Sequence, residues 1–100
     1  MILMISQPMY GKSEETIKEE RKSLVEKLEK EGHKVLDTIF ADGIGEMNDN
    51  DIGIYYLAKS IDAIGKVDGL VFMPGWENSR GCKIEYQVAK EYGKFIREVK

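Results

Sequence analysis

Val67-Asp-Gly-Leu-Val-Phe-Met-Pro-Gly-Trp-Glu-Asn-Ser-Arg-Gly-Cys-Lys-Ile-Glu85 decides how this chain folds. Val67 to Met73 is an almost unbroken apolar run closed by Pro74-Gly75, the pattern of a strand covered on both faces. A polar, glycine-flanked turn follows, and a helix is predicted from about Ser79 to Tyr92, closed by Gly93. At about 100° per residue, Cys82, Tyr86, Ala89, Tyr92, Gly81, Val88 and Ile84 share one arc of that helix. Lys83, Gln87, Lys90, Glu91 and Lys94 share the opposite arc. Glu85 falls near the middle of the apolar side. Desolvating an unpaired carboxylate there costs several kcal/mol, so Glu85 either lines a cavity or has a partner.

The same strand-to-helix pattern recurs upstream. Ile2 to Ser6 is an apolar run ended by Gln7-Pro8, and Ser13 caps a helix whose first turn holds Glu14 and Glu15. Ile17, Leu24, Val25 and Leu28 form its inward face, and Gly32 ends it after Lys30. A second strand is expected over Lys34 to Phe40, then a polar loop from Ala41 to Gly53. Another helix begins at about Asp51 or Ile52, with Ile54, Leu57, Ala58, Ile61 and Ile64 as its inward stripe and Gly65 as its stop. Lys94 to Val99 offers a last strand. Strands alternating with helices argue for an α/β fold: a parallel sheet with helices on both faces, joined by right-handed crossovers.

Composition excludes several classes. One hundred residues suit one domain. With 42% hydrophobic and 33% charged residues the chain is not disordered. A net charge of −3 disfavours a nucleic acid polymer as the partner. One cysteine and one histidine give neither a disulfide nor a zinc set, and the setting reads as cytoplasmic. Met1 to Ile5 is too short for a secretory leader, and no apolar run approaches the ~20 residues of a membrane span.

In open parallel sheets ligands bind beyond the carboxyl ends of the strands, where strand order reverses. The loops expected there bring Ser6, Gln7, Met9, Tyr10, Gly11 and Lys12 toward Trp76, Glu77, Asn78, Arg80 and Glu85. The loop before Ser13 leads into a helix start suited to an anion, although its spacing is not that of a Walker loop. Trp76 either stacks on a base or covers the core edge, and Arg80 either clamps phosphate or pairs with Glu77. Asp68 either orients Glu85 or caps the turn before its strand, and Cys82 reads as a small buried residue. The acidic loop from Asp42 to Asp51 lacks the ligand order of an EF-hand, so no metal or other cofactor is expected.

Taken together, Ile5-Ser-Gln-Pro-Met-Tyr-Gly-Lys12, Asp68-Gly-Leu-Val-Phe-Met-Pro-Gly-Trp76 and Ser79-Arg-Gly-Cys-Lys-Ile-Glu-Tyr-Gln-Val-Ala-Lys-Glu-Tyr-Gly93 resemble the nucleoside 2-deoxyribosyltransferase-like superfamily. Within it, the chain is most similar to small phage and bacterial proteins of unassigned function. The resemblance implies a flavodoxin-like, Rossmann-like three-layer sandwich with a four-stranded, at most five-stranded, parallel sheet. It also implies cleavage of the N-glycosidic bond of a nucleoside or nucleotide. By the same resemblance Glu85 is the catalytic nucleophile, Gly11 approaches a 5′-phosphate and Asp68 is the orienting aspartate. Where active members carry an Asp-rich turn, this chain has Gly75-Trp-Glu-Asn78. Active members complete their sites with a neighbouring subunit, so a homo-oligomer is expected.

Two functions follow. In one, an N-glycosidase or deoxyribosyltransferase uses Glu85 as nucleophile, with Tyr10 or Ser6 positioning it. Trp76 stacks on the base, and Gly11, Lys12 and Arg80 hold phosphate. In the other, a non-catalytic protein of phage anti-defence type sequesters a nucleotide or nucleotide-derived signal, with Glu85 accepting ribose hydroxyls.

Overall fold

The computed structural model of the protein describes residues 1–9, 11–36 and 49–99. Tyr10, most of the expected second strand beyond Leu36 and the polar loop up to residue 48 lie outside the described residues. The elements in chain order are β1 (Ile2–Ser6), α1 (Glu14–Lys30), β2 (Lys34–Val35), α2 (Asp49–Ile64), β3 (Gly69–Phe72), a single 3-10 turn (Trp76–Asn78), α3 (Arg80–Glu91) and β4 (Phe95–Glu98). All strand pairs are parallel, in the order β2-β1-β3-β4. The fold is therefore the α/β parallel-sheet sandwich that the sequence predicts.

Strand periodicity assigns the two faces. Leu3 and Ile5 of β1, with Val71 and Met73 at β3, pack against Leu24 and Leu28 of α1. The alternate residues Met4, Leu70 and Phe72 pack against Ala63 and Ile64 of α2 and Ala89 of α3. Side chains alternate faces along a strand, so Ser6 shares the face of Met4 and looks toward α2 and α3. Gln7 looks toward α1, and its Nε2 donates to the Ile17 carbonyl at 3.0 Å. The identity of a single residue at the end of β1 thus settles which helix it can reach.

The helix caps follow the sequence. The Ser13 hydroxyl accepts from the Thr16 amide at the start of α1, and Ser79 does the same for Cys82 at the start of α3. The expected stripe of α2 is corrected. Ile64 is buried, but Ile54 is 66% and Ile61 39% exposed, and Ala58 is exposed too. Ala63 and Ile64 face the sheet, with Leu57 and Ser60 half-buried. The helix carries two apolar stripes, and periodicity alone does not say which one the sheet takes. On α3 the wheel places Cys82, Glu85 and Ala89 correctly, whereas Ile84 and Tyr92 sit at the exposed margin. Among the described residues no helix is long and apolar enough to cross a membrane.

Candidate active site

From β1 the chain runs through α1 to β2 on one side, and from β3 through α3 to β4 on the other, so the crevice between the carboxyl ends of β1 and β3 is the switch point. Two loops meet there. A side chain at Gly75 would touch the Pro8 ring at 3.8 Å, and Gly75 itself has φ +89°, a left-handed conformation that favours glycine. Those two loops frame the start of α3.

Glu85 is only 7% exposed. The Ser6 hydroxyl donates to its Oε2 at 2.7 Å. Burial pushes the Glu85 carboxyl above its ordinary value, while the nearby Ser6 and Ser60 hydroxyls, favouring the charged form, pull it back. Cys82, one turn earlier on α3 and 3% exposed, shares the cluster through Ser6. Its thiol is pushed up by burial, eased by Ser6 and Ser79, and pushed up again by the neighbouring Glu85 charge. The carboxylate that the helical wheel places on an apolar face is thus partnered by a hydroxyl from β1.

The remaining residues read from the sequence are distributed around this group. A cleft of about 660 Å³ opens between α2 and the start of α3, lined by Leu57, Asn78, Arg80 and Ile84 among others. Arg80 is exposed, and its Nη2 lies 3.8 Å from where a side chain at Gly53 would begin. Leu57 and Ile84 line this cleft, and Ser60 and Glu85 lie one turn and one residue further along the same helices. Glu77 and Met9 are exposed. Gly11 takes φ +77° in the turn where the Lys12 amide donates to the Met9 carbonyl. Lys12 is turned away to pair with Glu20 at 3.0 Å, which neutralises the charge expected for phosphate.

Three expectations change. Asp68 is at the opposite edge of the sheet, where its Oδ2 accepts from the Ile2 amide at 2.7 Å. It precedes β3 while Glu85 meets the end of β1, so it ties the two central strands at their start and is not beside Glu85. Trp76 stacks on Tyr86, with ring centres 4.4 Å apart and planes 12° apart, and leans on Phe72. Its indole N–H donates to Glu98 at 3.1 Å. One face of the indole therefore covers the core edge. Gln7 binds α1 through Nε2, and its Oε1 is buried with no hydrogen-bond partner among the described residues, so it does not reach the Glu85 cluster.

A family model described as Domain of unknown function (DUF4406) matches residues 1–98. The chain belongs to this family. The DUF4406 chain is also similar in structure to the CMP N-glycosidase BcmB of Clostridium botulinum, with a TM-score of 0.62 and 22% sequence identity. That likeness covers 98% of this chain and 67% of the glycosidase, and at this identity it establishes a shared fold. The shared fold is the α/β sandwich that the sequence predicts. Among curated proteins no sequence matches this DUF4406 chain.

Sequence reasoning passed over Ser60. The signal was there: Ser60 is three residues after Leu57 and four before Ile64, a hydroxyl on the half-buried side of α2. Arg21 was passed over as well; at 6% exposure it belongs to the inward face of α1, at helical spacing between Ile17 and Leu24.

Proposed function

We propose that this protein recognises a nucleoside or nucleotide and cleaves its N-glycosidic bond with Glu85 as nucleophile. The observation that carries the reading is the Glu85 carboxylate itself, buried at the carboxyl edge of the sheet and held by Ser6. A fold shared with a CMP N-glycosidase supports it.

In the proposed reaction a Glu85 oxygen forms a bond to the anomeric carbon as the C–N bond breaks. The base leaves with the bonding electron pair and takes up a proton. Water then attacks the anomeric carbon, frees the carboxylate and loses a proton, giving the free sugar; an acceptor base in place of water gives transfer. A hydroxyl donor suits the task because it favours the charged form of a buried carboxylate without a cation to quench it. Asn78 and Arg80, on the cleft beside the start of α3, are assigned to the phosphate or base, with Gly11 at the first loop and Trp76 offering its outer indole face. Tyr10, outside the described residues, is retained as a positioning hydroxyl. We further propose that the protein self-associates, as its size suggests; light scattering giving the mass of one chain at working concentration would remove that part of the reading.

The test incubates the protein with nucleosides, nucleotides and cyclic nucleotides and separates the products by chromatography before and after heat denaturation. Free base released by the wild type and lost in Glu85→Gln supports the reading. Intact ligand recovered only after heating replaces catalysis with sequestration, and absence of any bound or cleaved ligand overturns both.

A further inference from the structure

We propose that the outward stripe of α2 pairs with the same stripe of a second copy of this chain, the two helices running antiparallel about a twofold axis. This seam rests on the self-association proposed above and gives it a surface. Ile54, Ala58 and Ile61 are exposed on α2, Ile54 by 66% and Ile61 by 39%, and Gly65 is exposed just past the helix end. Their spacings of four, three and four are those of a coiled-coil seam. In a chain that is 33% charged, three turns of exposed stripe carry no charge. Single exposed apolar residues need no explanation, whereas a contiguous apolar patch marks an interaction site. The patch widens toward α3, where Leu57 and the 40% exposed Ile84 continue it along the cleft.

The pattern fits itself. Large residues alternate with small ones along Ile54, Ala58, Ile61 and Gly65, so the stripe read backwards is small wherever the stripe read forwards is large. An antiparallel pair in that register sets Ile54 against Gly65 of the second copy and Ala58 against its Ile61, and the twofold repeats both layers. A parallel pair in register would set isoleucine on isoleucine and leave gaps at alanine and glycine. Ala58 also borders a groove of about 510 Å³, lined by Leu36, Tyr55 and Asp62 among others, which leaves room beside the facing isoleucine. Charge agrees with the same register. On the flank away from α3, Asp62 of one copy comes across from Tyr55 of the other, and the Lys59 ammonium lies 4.9 Å over that ring. Opposite charges therefore meet beside the seam, twice. The pairing also carries the end of the second copy's α2 to Ile54, on the rim of the cleft that holds Arg80. Each copy thereby adds a wall to the other's cleft.

The first measurement is light scattering over a range of protein concentrations. The wild type is expected to move from the mass of one chain to that of two as concentration rises. Ile54→Glu is expected to hold the mass of one chain throughout with unchanged circular dichroism. Tyr92→Glu, at the 79% exposed end of α3, is expected to follow the wild type. The second measurement reads orientation without an interface-breaking variant. Ala58→Cys and Ile61→Cys are oxidised alone and in equal mixture, and the covalent dimers are weighed; Cys82 is buried and stays out of the reaction. The mixed disulfide is expected to dominate. Dimers linked like with like, or none, overturn the antiparallel seam. A wild type of one chain at every concentration overturns both self-association and seam, whereas a two-chain mass in Ile54→Glu overturns the seam alone. Neither measurement needs turnover, so failure of the glycosidase reading is told apart from failure of the seam.

Discussion

At the scale of single residues, the Glu85 cluster trades stability for a charged group in a dry place. A carboxyl whose value is raised by folding binds its proton more tightly in the folded chain than in the unfolded one. The stability from that difference is complete below the unfolded value and is lost as pH rises through the folded value. At neutral pH the Glu85 charge is therefore a net cost. Glu85→Gln, which keeps the shape and an acceptor for Ser6, is expected to melt at a higher temperature than the wild type at pH 7. The gap should close as the solution is acidified through the carboxylate range. A variant that melts lower at pH 7 would mean that hydrogen bonding to the carboxylate outweighs desolvation. Cys82 gives a companion prediction: buried and with its thiol pushed up, it should resist an alkylating reagent in the native protein and react once denaturant is added. The sequence makes Glu85 legible because a carboxylate on an apolar arc is a local anomaly. It also makes Ser6 legible, since strand alternation fixes its face. It does not make the placement of Asp68 legible, because one run of residues reads the same whether its aspartate belongs to the start of the strand or to the site beyond its end.

At the scale of elements, α2 shows where sequence pattern stops being decisive. Apolar residues lie on two sides of it, and the sheet takes the side with Ala63 and Ile64, where a small residue beside a large one lets the helix sit close to Leu70 and Phe72. Ile64→Ala is expected to cost about 2–5 kcal/mol, whereas Ile61→Ala, on the outward stripe, is expected to cost about 1 kcal/mol or less. Urea denaturation of the two variants checks the orientation, and equal costs would return Ile61 to the core. A second element-level constraint joins β3 to β4. A side chain added at Gly69 would come within 2.6 Å of the Phe95 carbonyl and 2.7 Å of its Cβ, so the glycine is what lets Phe95 lie against the sheet. Gly69→Ala should cost about 1–3 kcal/mol by overpacking, with the slope of the denaturation curve unchanged; a neutral result would show that β4 moves away freely. Caps and turns were the legible part of these elements, because Ser13, Ser79, Gly32 and Gly93 act through local geometry. Partner choice between a helix and a sheet is not local, and composition leaves it open.

At the scale of the whole molecule, the hydroxyl at the end of β1 is held by the least accessible part of the fold. Leu3, Met4, Leu70, Val71 and Phe72 are all fully buried, and β1 and β3 pair side by side along their length. The outer strands are different: β2 has two residues with Lys34 exposed, and Phe95 of β4 is 43% exposed. Local opening draws on regions with few buried contacts, so amide exchange should divide the sheet by position. The amides of β1 and β3 are expected to exchange slowest, through global unfolding, and those of β2 and β4 faster. Destabilising the centre with Phe72→Ala should speed the β1 and β3 amides together, because they open only with the whole chain. Exchange in which β4 outlasts β1 would move the stable centre away from the site. The expected order has a functional side: Ser6, the hydroxyl that bonds Glu85, sits on the strand that opens last. A ligand engaging Glu85 binds the folded chain and not the unfolded one, so it should raise the global stability and slow the β1 and β3 amides together with those of α2 and α3; β1 exchange unmoved at saturating ligand would mean that β1 opens without global unfolding.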